Sequence, residues 1–222
     1  MGSSVQLKDV KQHRTVDAFL KRASLNLEAM GYTEHGYRHA NLVSSIAHNV
    51  LIRLNKPHRD AELASIAGYL HDIGNVISRN HHGQSSAVMA MPILLELGMQ
   101  PEELATVMSA VGNHEEEYGH PVNDVAAAVI LADKSDVHRT RVSNQNVSAF
   151  DIHDRVSYAA VRSFLDVDGD RRVITLSVTI DTEICPVMEY FEIFLSRMTM
   201  CRRAAEVLDC QFKLEINGAV LL

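Results

Sequence analysis

Up to about residue 140, apolar residues recur every three or four places; beyond about residue 159 they alternate with polar ones. The first pattern belongs to helices with one buried stripe, the second to strands with one buried face. Val16, Phe19, Leu20, Ala23 and Leu27 place a first helix over about Leu7–Met30, stopped by Gly31. Leu42, Val43, Ile46, Ala47, Val50 and Leu54 mark a second, starting near Glu34–Tyr37 and ending before Asn55-Lys56-Pro57. A third covers about Asp60–Leu70, a fourth Ser85–Leu97 closed by Gly98, and a fifth Glu102–His114 opened by Pro101. The sixth, about Asn123–Val137, is almost wholly apolar as far as Ala132, which places it at the centre of the domain.

Beyond Ala159, positions 161, 163, 165 and 167 alternate with polar residues, Asp168-Gly169-Asp170 predicts a hairpin turn, and Ile174, Leu176, Val178 and Ile180 resume the alternation. An amphipathic helix over about Val187–Asp209 follows, then a strand with Phe212, Leu214 and Ile216, and a tight turn at Asn217-Gly218. The expected architecture is mainly α: a helical metal-binding domain over 1–158 and a subdomain over 159–222, a small antiparallel sheet plus one helix. Its last strand would leave an open edge, which makes a homodimer an expectation.

Composition narrows the function. The formal charge is −7, with no broad basic surface of the kind that binds nucleic acid. Cys185, Cys201 and Cys210 form no Cys-x-x-Cys pair, and no apolar run reaches membrane-spanning length, so a cytoplasmic setting without membrane attachment is expected. The anomaly is histidine, twelve in all, most of them between His35 and His153.

The third helix runs directly into His71-Asp72 and then Gly74. Adjacent side chains leave a helix about 100° apart, so this pair converges only on something lying between them. A metal ion suits imidazole nitrogen and carboxylate oxygen together. His39 sits at the inner edge of the second helix, His82 where the fourth begins and His114 at the end of the fifth. Asp133 leaves the wholly apolar sixth helix, where an unpartnered carboxylate would be costly. Two histidines, Asp72 and Asp133 can hold one ion. His82 and His114 supply most of a second shell, with Asp72 bridging and two metals ~3.5–4 Å apart. Asp72 is thus the expected centre of catalysis, aided by Lys134. Lys134, Arg139 and Arg141 gather positive charge, either to complement the helix dipole or for a phosphate, with His35 as a further ligand, a substrate contact or a capping residue. One carboxylate of Glu115-Glu116-Glu117 could orient a histidine ligand. A second dipeptide, His153-Asp154, has neither a buried helix feeding it nor a glycine stop and reads as structural.

In order and spacing, His39, His71-Asp72, His82, His114 and Asp133 resemble the HD-domain superfamily of metal-dependent phosphohydrolases, whose pattern is His…His-Asp…His…His…Asp. The segment His82-Gly83-Gln84-Ser85-Ser86-Ala87 is similar to the family's corresponding stretch, and the resemblance runs from about Tyr32 to Arg141. It implies an all-helical core, a centre of two divalent ions (Fe, Mn or Zn, with Mg an option at one site) and hydrolysis of a phosphomonoester or phosphodiester in a small phosphorylated or nucleotide-like substrate. Asn113 stands where relatives that degrade cyclic di-GMP carry the first histidine of a His-His-Glu run. Two alternatives use the same residues: a di-iron oxygenase on this scaffold, and a non-catalytic regulatory protein that binds metal or ligand.

Overall fold

In the computed structural model, which describes residues 4–142 and 150–221, the helical periodicity becomes α1 (Leu7–Gln12), α2 (Arg14–Ala29), α3 (Tyr37–Arg53), α4 (His58–Leu70), α5 (His82–Glu96), α6 (Pro101–Gly112) and α7 (Asp124–Ser135). Helix α8 (Ile152–Ala159) leads into β1 (Ala160–Asp168) and β2 (Val173–Ile180). The long helix α9 (Val187–Val207) follows, then β3 (Gln211–Ile216) and the short β4 (Ala219–Val220).

Helix α7 is the axis of the molecule. Every residue from Val125 to Ser135 is buried, and α3, α4, α6 and α9 pack around it. Its alanines at 126, 127, 128 and 132 are short enough for neighbours to approach on all sides. Asn123 caps its start by accepting a hydrogen bond from the Ala126 amide at 2.8 Å. Helices α3 and α4 are also close. A Cβ at Gly68 would lie 3.1–3.2 Å from the backbone of Val43 and Ser44, so a side chain there would press the two helices apart by a few tenths of an ångström.

The expected single first helix is two, broken at His13, whose backbone is extended (φ −75°, ψ 118°). Val10 and Val16 are six positions apart, on different sides of a straight helix, yet both are fully buried. The break lets each turn into the core.

The sheet differs from expectation in one pairing. Its order is β1-β2-β3-β4, with β1 and β2 an antiparallel hairpin and β3 and β4 antiparallel around Asn217-Gly218, both in the left-handed region (φ 51° and 82°). Strands β2 and β3, however, are parallel. Alternation reveals a strand's faces and not its direction. The 21-residue α9 carries the chain back before β3 begins, as a parallel neighbour requires. Ile174, Leu176 and Val178 of β2, with Phe212, Leu214 and Ile216 of β3, are buried, and α9 packs against both β3 and α7. Among the described residues, no helix is long and apolar enough to cross a membrane.

Candidate metal centre

The ends of α4 and α6, the start of α5, the first turn of α3 and the last turn of α7 meet at one point. His71 caps α4 with helical backbone (φ −57°, ψ −31°), and Asp72 leaves it (φ −104°, ψ 1°), entering a 3-10 turn over Ile73–Val76. Gly74 in that turn touches the start of α5. A methyl group there would collide with the His82 carbonyl and the Ser86 amide, and the Gly74 amide donates to Ser86 Oγ at 2.7 Å. The glycine therefore serves close approach, where the sequence suggested only a sharp turn. Gly74→Ala is expected to cost about 1–3 kcal/mol by forcing the turn away from α5, read as a lowered midpoint in thermal unfolding; an unchanged midpoint would contradict this contact.

His39, His71, Asp72, His82, His114 and Asp133 are all buried, and the structure brings all six together. His39 Nε2 lies 3.2 Å from His71 Nε2, 3.6 Å from Asp72 Oδ2 and 3.3 Å from Asp133 Oδ1. His71 Nε2 is 3.2 Å from Asp72 Oδ2 and 3.8 Å from Asp133 Oδ1. On the other side, Asp72 Oδ1 is 3.2 Å from His82 Nε2 and 3.8 Å from His114 Nε2, and those two nitrogens are 3.0 Å apart. Among the described residues, three overlapping groups, each with ligand atoms within 4.8 Å of one another, could hold an ion: His39 with His71 and Asp72, His71 with His114 and Asp133, and Asp72 with His82 and His114.

The outer nitrogens explain why the inner ones face each other. His71 Nδ1 donates to the Gly68 carbonyl at 2.8 Å, His82 Nδ1 to the Arg79 carbonyl at 2.9 Å and His114 Nδ1 to the Val111 carbonyl at 2.7 Å. His39 Nδ1 donates to Asp136 Oδ2 at 2.7 Å. Carbonyls and carboxylates only accept, so every Nδ1 carries the proton and every Nε2 presents a lone pair inward unless the ring is charged. Two pairs of facing lone pairs repel unless something positive lies between them. Asp72 Oδ2 is buried there without a hydrogen-bond partner, while Oδ1 accepts from Asn75 Nδ2 at 3.0 Å. Converging nitrogens and an orphaned carboxylate oxygen fit a divalent cation.

Without metal, protons take part of that role. Burial alone would depress His82, but the Asp72 and Glu115 carboxylates outweigh it and raise its pKa to about 9. Burial, then the positive charges of His71 and His82, pushes His114 down to about 3. One proton thus sits on His82 at neutral pH, and an ion in this nest must displace it. Metal uptake at pH 7 is expected to release about one proton per ion bound there. The apparent affinity should fall about tenfold per pH unit lowered below the His82 value. Titration in a weakly buffered indicator solution reads this; uptake without proton release would contradict it.

The remaining expected residues fare unevenly. His35 is buried but precedes α3, so it is not the helical neighbour of His39 that their four-residue spacing suggested; their rings are 5.4 Å apart. Its Nδ1 donates to the Thr33 carbonyl, and it belongs to none of the metal-sized groups among the described residues. The buried Lys134 Nζ lies 2.6 Å from Asp133 Oδ2 and 3.1 Å from Glu116 Oε1, fixing Asp133. Arg139 stacks over Tyr158, 4.9 Å from the ring centre, and is not among the residues lining the adjacent cavity. Arg141 is, with His35, on a cavity of about 470 Å³ that also meets Tyr32, Arg79, His138, Phe194, and the His153-Asp154 pair read as structural.

Three supporting residues escape a reading by motif. Asp136 is buried and joins His39 to Arg38, whose Nη2 is 2.8 Å away, and to Arg141 Nε at 3.6 Å. Its place one turn after Asp133 was the available signal. Arg79 lay in a turn-rich stretch, and its Nη1 is 3.4 Å from His82 Nε2. Arg197, on α9, reaches Glu116 Oε1 at 3.0 Å, a contact no local pattern announces. The glutamate triplet did carry a signal: Glu115 Oε1 is 3.0 Å from His82 Nδ1 and also accepts the Gly83 amide.

The uncharacterized protein MJ1020 of Methanocaldococcus jannaschii is 29% identical over 196 residues, covering 78% of this chain and 74% of that protein. A comparison with protein families matches residues 32–158 to the HD domain, a span that contains all six converging side chains. The chain belongs to the HD domain family, whose members bind divalent metals.

Proposed function

We propose that the protein is a metal-dependent phosphohydrolase whose centre takes two divalent ions and acts on a small phosphorylated or nucleotide-like molecule. The observation that carries this reading is Asp72: its Oδ2 faces His39 and His71, and its Oδ1 faces His82 and His114. His39, His71, Asp72 and Asp133 would hold one ion, and Asp72, His82 and His114 the other. The nitrogen-rich donor set suits iron, manganese or zinc better than magnesium. Bound there, two ions would supply an acidified water as nucleophile and neutralise charge on the phosphoryl oxygens.

The chain's own residues then do the positioning. Asp136, the Gly68, Arg79 and Val111 carbonyls and Glu115 aim the four imidazoles, and Lys134 aims Asp133. The cavity between His35 and Arg79 has room for the rest of a small substrate. Protein loaded in turn with manganese, iron and zinc, offered a panel of phosphomonoesters and phosphodiesters, should release phosphate or the corresponding monoester and stop when the metal is chelated. Loaded protein that leaves the whole panel intact but consumes oxygen would place it among the oxygenases instead.

A further inference from the structure

We infer that the cavity beside the metal centre is a subsite for a second oxyanion of the substrate, a phosphoryl or carboxylate group other than the reacting one, held by Arg79, Arg141 and Arg197. This rests on the hydrolase reading of the centre. The cavity lies one residue away from each nest: His35 on its wall packs against His39, and Arg79 on its wall approaches His82 Nε2. A substrate whose reacting group lay at the metals would place its remainder here.

Arg141 gives the clearest sign of what that remainder carries. It lines this cavity and is 3% exposed; its Nη1 donates to the Asp136 carbonyl at 3.0 Å and its Nε to the Glu34 carbonyl at 3.2 Å, while its Nη2 is buried without a partner. A buried guanidinium N–H without an acceptor asks for one. Arg79 contacts Asn75 Oδ1 at 3.5 Å, His82 Nε2 and the face of Tyr32; none of these is a carboxylate. Arg197 lies over Phe194, 4.9 Å from the ring centre, and meets Glu116 through Nε.

The acids on the same wall are engaged. Asp136 is shared by His39, Arg38 and Arg141, and Asp151 Oδ1 accepts the Asp154 amide at the start of α8. Asp154 is buried and partnered. Guanidinium forks match the paired oxygens of phosphate and carboxylate, and a mobile surface lysine would not supply that geometry. Through Arg197 and Phe194, α9 becomes a wall of the site, giving the C-terminal region a part in specificity.

The test uses full-length protein stripped of metal by chelator and titrated calorimetrically with inorganic phosphate and, separately, malonate. The expected result is one oxyanion bound per chain without metal, weakened about tenfold or more in both Arg79→Ala and Arg197→Gln, each checked for fold by circular dichroism. Arg197 pairs with Glu116 and stacks on Phe194 rather than meeting a nest histidine, so its variant separates the subsite from protonated histidines. Stronger phosphate binding identifies a second phosphoryl group, and stronger malonate binding a carboxylate; either supports the subsite. Binding that appears only when metal is restored, or that both variants leave unchanged, overturns it while leaving the hydrolase reading intact. Oxyanion binding by a protein that refuses every metal overturns the hydrolase reading and leaves the subsite standing.

Discussion

Asp72→Ala is expected to empty both nests. Its two oxygens face different nests: Oδ1 lies 3.2 Å from His82 Nε2, and Oδ2 lies 3.2 Å from His71 Nε2. The variant is therefore expected to lose both ions and to lower kcat/KM by at least the ~10²–10³-fold typical of deleting one charge-stabilising group. His82→Ala touches one nest alone and should retain about one ion. Glu115→Gln leaves every ligand in place but swaps the carboxylate beside His82 Nδ1 for an amide; it should weaken metal binding by about 10–100-fold. Elemental analysis with parallel kinetics ranks the three. Equal loss of metal in Asp72→Ala and Glu115→Gln would deny Asp72 its bridging place.

Asp136→Ala strikes the fold and the site together. The carboxylate is 3% exposed and meets Arg38, His39 and Arg141; Arg141 is itself buried. Burial alone would raise its pKa, yet hydrogen bonding to His39 and the Arg141 charge hold it well below the usual carboxylate range. Removing it leaves the Arg141 guanidinium buried without its counter-charge. Breaking such a buried pair costs about 3–5 kcal/mol, a large part of the total stability of a chain this size. The expected outcome is a large fall in the denaturation midpoint, with weakened metal binding because His39 loses its orienting acceptor. Asp136→Asn, which keeps a carbonyl oxygen for His39 Nδ1, should recover part of the metal binding but little of the stability. A midpoint within experimental error of the unsubstituted protein would show that Arg141 does not depend on this carboxylate.

The six converging residues were legible because each stands where an apolar pattern ends or turns inward. The stripe of α4 stops at Leu70 and delivers His71 and Asp72; the apolar run of α7 carries Asp133 into the interior. Such polar residues at the margin of a core need partners, and that need is visible without coordinates. What was not legible depends on contacts between distant segments. Nothing local says that Lys134 is held by Glu116, or that Arg197 on α9 meets the same glutamate from the far end of the chain. His35 and His39 share a four-residue spacing, but α3 begins only at Tyr37, and helix starts are weakly encoded when no strong cap precedes them. The parallel β2–β3 pair follows from where α9 lies, not from the alternation of either strand. His153-Asp154 reads as structural for want of a buried helix and a glycine stop, and the cavity it borders is not visible from the dipeptide.

The most direct test of the two-ion centre is metal content per chain, measured by elemental mass spectrometry on protein equilibrated with manganese, iron or zinc and freed of excess. The account predicts about two ions per chain, falling to none in Asp72→Ala. Two ions retained in Asp72→Ala, or a single ion per chain at saturating metal, would contradict it.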